Sequence, residues 1–263
     1  KFSELYISSN KLIPEKKNMF QRRILGLVSF YLGSTPDLYA QKTIKSVPLV
    51  MDPYHLEVYN YYEEIERKLE RKAAMSRTSS NVYRSYTRQA SNFVFPTLSG
   101  KISGENRPRP GQFRLSEKEI EQLEEGVELE KDKKAAKKQA TITALKEYSL
   151  LIKKYLLGLK DYFKSLANKD KSKKHTIFDD IQIFLKKYKR SNFKNYWDNE
   201  NKKSFLLKAM YSSSCKMVAI AFNLIACDGP VVVYSNYVKM EGLEIFRIYL
   251  EFMNFSHHGF TKG

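Results

Sequence analysis

The clearest periodicity lies between Ala140 and Leu166, where Ile142, Leu145, Tyr148, Ile152, Tyr155, Leu156, Leu159 and Phe163 recur at three- and four-residue spacing. That pattern predicts an amphipathic helix with one apolar stripe. A shorter stripe over Phe20–Tyr31 predicts a second helix, flanked by Arg22 and Arg23. Asp52 followed by Pro53 is a helix start, a capping carboxylate before a proline that needs no N–H partner. The helix it opens carries Tyr54, Val58, Tyr61, Tyr62, Ile65 and Leu69 and ends in the charged run Glu66–Lys72. Tyr83–Phe95 and Ile177–Tyr188 also read as helices, the second with Asp179 and Asp180 in its first turn, where negative charge suits the dipole. Thr43–Met51 alternates like a strand, and Pro48 places it at an edge or a bulge.

The last part changes grammar. Ser214–Ala226 reads as a buried helix, Asp228-Gly229-Pro230 as a turn, Val231–Tyr234 as a short apolar strand and Ser235–Tyr249 as a helix. Helix, apolar strand, helix is the order of a parallel α/β sheet. A single strand makes no sheet, so its neighbours are expected beyond Gly263 or elsewhere in the protein. The segments between are read from composition. Ser76–Ser80 and Asn192–Lys203 are expected as loops, and Thr97–Gly111, rich in Gly, Pro and Arg, as exposed and mobile. Asn168–Lys174 is expected as a basic linker. Ser116 with Glu119 forms a capping box, and Lys131–Lys138 has almost no apolar face and reads as solvated. The expected fold class is mostly α with α/β portions.

Charge narrows the partners. The chain has 46 Lys and Arg against 29 Asp and Glu, a net +17, which favours polyanions, chiefly nucleic acid. Residues 191–263 hold 8 basic against 6 acidic side chains, so the positive field belongs to the first two-thirds. The most apolar stretch, Met217–Tyr234, is broken by Asn223, Asp228, Gly229 and Pro230, so no membrane partner is expected. Two cysteines, Cys215 and Cys227, make neither a disulfide framework nor a metal cluster. The chain starts at Lys1 without a leader and closes on Lys262-Gly263. Both termini are expected to be cuts within a larger protein.

Tests for nucleotide chemistry come back negative. None of the 11 glycines falls in the G-x-x-x-x-G-K-[ST] arrangement that cradles phosphates. Asp179-Asp180 follows only Ile177-Phe178, too little for the strand that precedes a magnesium-binding acidic pair, and is expected to be a helix start. His55, His175, His257 and His258 show no metal-ligand spacing. Catalytic residues are therefore none. Arg22, Arg23, Arg84, Arg88, Arg107, Arg109 and Lys131–Lys138 are candidates for phosphate contact, each weighed against an ordinary solvated helix face.

Four islands in order resemble the middle of an SNF2-type superfamily 2 helicase, with the nearest likeness to helicase-like transcription proteins of large nucleocytoplasmic DNA viruses, the poxvirus early-transcription-factor and NTPase I type. Phe20–Ile24 resembles the Leu-Arg-Arg segment near the end of the first RecA-like lobe. Val47–Tyr59 resembles a strand and helix with the pattern Met-Ser-x-x-Gln-x-x-x-Tyr, and Arg88–Pro96 resembles the Arg-x-x-Cys-Asn-His-Pro region. Ser214–Phe246 resembles the Ser-Gly-Lys helix, the inter-lobe turn and motif IV. His55 stands in place of Gln, Phe93 in place of His and Cys215 in place of Gly, departures that favour the viral branch.

The resemblance implies three parts: residues 1–96 as the end of lobe one with connecting helices, 97–211 as a basic helical insertion, and 212–263 as the start of lobe two. It implies an ATP-dependent helicase or translocase acting in viral transcription, with ATP and Mg2+ bound by the parent protein and neither by this segment. The partners implied are nucleic acid, double-stranded DNA in particular, and a viral RNA polymerase, in the host cytoplasm (the viral factory) or the virion. Ser235 and Asn236 would stand at a strand end and helix N-terminus, placed with Lys239 to hold a backbone phosphate; helix capping by Ser235 is the structural alternative. The alternative function is a non-enzymatic basic helical module that docks nucleic acid or a polymerase partner.

Overall fold

A computed structural model describes residues 5–8, 11–24, 44–75, 85–113, 135–188, 193–238 and 240–256. Two compact units divide between Pro48 and Leu49. In the first, β1 (Ile7–Ser8) pairs antiparallel with β2 (Lys11–Leu12) in the register Ile7 to Leu12. Ile13 N–H donates to the Tyr6 carbonyl at 2.9 Å, and a short 3-10 turn, Pro14–Lys16, leads into α1 (Lys17–Ile24). The buried Tyr6 ring meets Phe20 of α1 at 5.7 Å.

The second unit is helical: α2 (Pro53–Met75), α3 (Ser85–Ala90), α4 (Ala135–Ser172), α5 (Ile177–Lys187), α6 (Phe193–Asn199), α7 (Phe205–Ser213), α8 (Cys215–Ala226) and α9 (Leu243–Phe252). The stripe seen in the sequence is the inner face of α4, with Leu145, Tyr148, Ile152, Tyr155, Leu159 and Phe163 all buried. Each such side chain contributes about 1.5–3 kcal/mol on leaving water. The short α7 is the central strut, packed against α2, α4, α5 and α8. Phe163 of α4 meets Tyr249 and Phe252 of α9 edge-on at 5.5 and 5.6 Å, and Phe93 reaches Tyr249 at 6.2 Å. On the other side, Phe222 of α8 is enclosed by Phe184, Phe193 and Tyr196 at 4.9–5.4 Å. Residues from all three stretches expected as separate parts thus share one core.

Helix starts follow the sequence rules. Asp52 Oδ1 accepts from Tyr54 N–H at 3.1 Å at the head of α2. Ser204 and Ser214 cap α7 and α8 through Leu207 N–H and Met217 N–H, both at 3.1 Å. Asp179 accepts from Thr176 N–H at 2.7 Å and Thr176 Oγ1–H at 2.9 Å, so it is the helix-start acid expected.

Mostly α is what the fold shows, and the β1–β2 pair is the only sheet among the described residues. Several expectations are corrected. No strand is described over residues 44–51 or at Val231–Tyr234, where Val232 is 93% and Tyr234 83% exposed. Apolar composition alone makes no ladder without a partner edge. The loop expected at Asn192–Lys203 contains α6, because Phe193 and Tyr196 are core residues and Trp197 stacks on Tyr211 at 3.6 Å. The basic linker Asn168–Lys174 is mostly the last turn of α4, held by the buried Asp170. The helix expected to reach Phe95 ends at Ala90, and Phe93, Val94 and Phe95 run on as buried extended chain.

The stretch 97–111 is not exposed throughout. Tyr62 Oη–H donates to the Gly104 carbonyl at 2.6 Å, Tyr155 Oη–H to the Lys101 carbonyl at 3.0 Å, and Gly104 sits against Val58. The helix expected from Ser235 starts only at Leu243. Before it the chain folds into a loop that brings Leu243 N–H to the Tyr237 carbonyl at 3.1 Å. Glu241 takes the left-handed conformation there, φ 58°. A Cβ on Gly242 would lie 2.0 Å from the Tyr237 carbonyl oxygen, so only glycine fits that close approach. The Ser116 capping box, Lys131–Lys134, Ser76–Ser80 and His257-His258 lie outside the described residues.

Candidate nucleic-acid interface

Three of the four islands meet at one junction in the second unit. From the head of α2, Asp52 Oδ1 also accepts from Ser212 Oγ–H at 2.8 Å. One turn on, Tyr54 Oη–H donates to the Phe95 carbonyl at 2.6 Å and His55 Nε2–H to the Ala90 carbonyl at 2.7 Å. From the other side, Val94 N–H donates to the Ser213 carbonyl at 2.9 Å, and Ser214 Oγ–H to the Asn92 carbonyl. Lys216, at the start of α8, reaches Ser91 Oγ at 3.2 Å and Asn92 Oδ1 at 3.3 Å. The Ser213 and Asn92 carbonyls thus join residues about 120 positions apart, and the Asp52 carboxylate joins residues 160 apart.

The junction is electrostatically uneven. His55 is fully buried, and burial, opposed by its bond to the Ala90 carbonyl, pulls its pKa below the usual imidazole value of 6.5. Burial also lowers the Lys216 ammonium and raises the buried Cys215 thiol. A histidine held neutral in the fold but free to protonate when unfolded favours the unfolded state as pH falls. Stability from this group is fully present above 6.5 and declines below it, by at most about 1.4 kcal/mol per pH unit for one proton. His55→Gln keeps a donor for Ala90 and removes the titration. Urea midpoints of this variant, measured from pH 7.5 down to pH 5, are expected to fall less steeply than those of the native chain.

The described candidate contacts belong to separate elements. Arg22 and Arg23 are exposed in the last turn of α1, in the first unit, where basic side chains suit the helix C-terminus. Arg88 is exposed in the last turn of α3. Ser235 Oγ accepts from Tyr237 N–H at 3.1 Å, and Asn236 Oδ1 accepts from Tyr234 Oη–H at 2.8 Å. With no strand before them and α9 beginning at Leu243, neither stands at a helix N-terminus and Ser235 caps no helix. Arg84 and Lys239 lie outside the described residues.

Arg107 and Arg109 are corrected outright, being 4% and 6% exposed. Arg107 forms a buried ion pair with Glu241. The Arg109 guanidinium lies between the rings of Tyr62 and Tyr86 at 4.3 and 4.2 Å and donates to Gln89 Oε1 at 2.6 Å. Such arginines fasten loops to helices and are closed to a phosphate. Lys216 was not singled out in the sequence. Its signal was there, since Ser214-Cys215-Lys216 occupies the place of the Ser-Gly-Lys helix.

The adjacent acids Asp179 and Asp180 are both engaged in structural bonds. Asp180 is fully buried and its oxygens accept from Tyr196 Oη–H and Ser204 N–H, both at 3.0 Å, while Asp179 is spent on Thr176. No group of His, Cys, Asp and Glu among the described residues is arranged to hold a cation, and no described helix is long and apolar enough to cross a membrane.

Over 247 residues, 93% of the chain, the sequence is 42% identical to a protein of Acanthamoeba polyphaga mimivirus whose name assigns it, by inference, as an ATP-dependent RNA helicase. The chain spans 30% of that protein's length. No protein-family model matches the chain, and no solved structure does.

Proposed function

We propose that this chain is the middle of an ATP-dependent nucleic-acid helicase or translocase of a large DNA virus, acting in viral transcription in the infected cytoplasm or the virion. The observation that carries the reading is the junction. Three segments that resemble helicase islands bond to one another, the first two through Tyr54 and His55 and the last two, 122 residues apart, through Ser214 and Asn92. The similarity to the mimivirus protein supports the same reading. Residues 1–96 would end one RecA-like lobe and 212–263 begin the next. The exposed Val231–Tyr234 segment would then find its sheet in the remainder of the protein. ATP and Mg2+ would be held by other parts of the parent, which supply the phosphate loop and the metal-binding acid. What this chain contributes is a basic scaffold that tracks phosphates without reading bases. Double-stranded DNA is the substrate proposed, and a viral RNA polymerase the partner.

The test is ATP hydrolysis by the whole protein with and without nucleic acid. Stimulation by duplex DNA is expected, and RNA that stimulates as well or better would overturn the substrate assignment. A whole protein with no ATPase activity under either condition would sink the motor reading in favour of a non-enzymatic binding module.

A further inference from the structure

The Lys216 ammonium is half-buried, yet its contacts at the junction are the neutral oxygens of Ser91 and Asn92. Among the described residues no carboxylate forms an ion pair with it. The acid of this junction, Asp52, is engaged by Tyr54 N–H and Ser212 Oγ–H. The buried Arg109 is covered by the rings of Tyr62 and Tyr86, and two other cations of this unit have an acid. Arg107 has Glu241, and Lys160 has Glu251 at 2.9 Å. An ammonium drawn partly out of water without a counter-charge is costly unless an anion completes the site.

The surroundings say which anion. Beside Lys216 stands the Asn92 side-chain amide, with its own N–H donors. The Lys216 ammonium without an ion-paired acid, next to amide N–H donors, suits an oxyanion rather than a metal or a cationic side chain. Lysine is a point charge that tolerates varied phosphate geometry, as contact with a sugar–phosphate backbone requires.

We infer that Lys216, beside the Asn92 amide, seats a backbone phosphate of nucleic acid. This rests on the nucleic-acid reading above and adds the residue and the ligand atom. It also moves the contact surface from the Ser235–Asn236 segment to the place where α8 begins beside the end of α3.

The experiment is fluorescence anisotropy of the 263-residue chain with a labelled DNA duplex of about 20 bp, titrated between roughly 50 and 200 mM salt. Each phosphate contact contributes about −0.9 to the slope of log affinity against log salt. Lys216→Gln is expected to weaken binding severalfold at low salt and flatten the slope by about one contact, and Lys216→Arg to keep it. Asn92→Asp, which supplies an internal counter-charge, is expected to weaken binding likewise. Thermal midpoints of the variants are followed in parallel, so a folding defect in one leaves the other to decide. A native chain that binds duplex while both Lys216→Gln and Asn92→Asp retain its slope would overturn the phosphate seat alone. A native chain that does not bind duplex overturns the seat too, and leaves the ATPase test of the whole protein standing.

Discussion

Arg107→Met is expected to destabilise the second unit by roughly 3–5 kcal/mol, the cost of stranding a buried charge when its partner is removed. Arg107 and Glu241 are each 4% exposed at the side chain. The pair ties the 97–113 segment to the loop before α9, across 134 residues of sequence. Without the Arg107 guanidinium, the Glu241 carboxylate stays inside with no ion-paired cation, only the through-space charge of Arg109, to offset its lost hydration. Its backbone already sits in the left-handed region, and Gly242 is wedged against the Tyr237 carbonyl, so the loop has little room to turn the carboxylate outward. Adding Glu241→Gln to Arg107→Met removes the stranded charge and is expected to recover part of the loss, since a buried amide costs less than a buried ion. Urea unfolding of the two single variants and the double variant gives the coupling directly. Single-variant losses that simply add in the double would show that the pair is not coupled.

That ion pair joins residues 134 positions apart, which no local pattern in the sequence announces. Periodicity carried α4 well, because a stripe of six buried residues at three- and four-residue spacing is a local property of the chain. The helix starts at Asp52 and Asp179 were legible for the same reason, since each acts on an N–H group within three residues of itself. The 97–111 stretch was misread because glycine, proline and arginine are usually outside. Here the groups that make burial tolerable are remote: Glu241, Gln89 and the rings of Tyr62 and Tyr86. The segment Asn192–Lys203 was misread in a similar way. Its lysines and asparagines suggested a loop, while Phe193, Tyr196 and Trp197 at helical spacing pack on α7 and α8.

The site followed the same division. Ser235 and Asn236 were chosen on the assumption of a strand and a helix that would frame them. The strand needs a partner edge, and the helix start was displaced by a loop whose tightness depends on Gly242. Lys216 was legible only as one letter of an island. Its significance comes from the Ser91 and Asn92 oxygens, about 125 residues earlier in the chain, and from the absence of an ion-paired carboxylate among the described residues.

The adjacent acids Asp179 and Asp180 are expected to differ sharply when replaced, although the sequence gives no reason to separate them. Asp180 is fully buried. It accepts from Tyr196 Oη–H and Ser204 N–H at 3.0 Å, and His175 Nε2 lies 2.9 Å away. With Asp170, which accepts from Phe205 N–H at 2.7 Å and Leu206 N–H at 3.0 Å, it satisfies the first amides of α7. Two carboxylates therefore stand at the positive end of the central strut's dipole. Burial and the neighbouring Asp180 charge together hold the Tyr196 hydroxyl well above its ordinary pKa, in keeping with its role as donor to Asp180. Asp180→Ala leaves three buried polar groups without an acceptor, each costing about 1–3 kcal/mol, for a total on the order of 3–5 kcal/mol after relaxation. Asp179→Ala removes a solvent-facing cap and is expected to cost about 0.5–2 kcal/mol. The Thr176 N–H and hydroxyl pull the Asp179 carboxyl below its usual range. Its share of stability is therefore present above pH 3.8, the ordinary value, and lost as pH falls through the lowered one. Urea midpoints of the two variants at pH 7 decide the matter. Near-equal losses would mean that the buried Asp180 network does not brace α7.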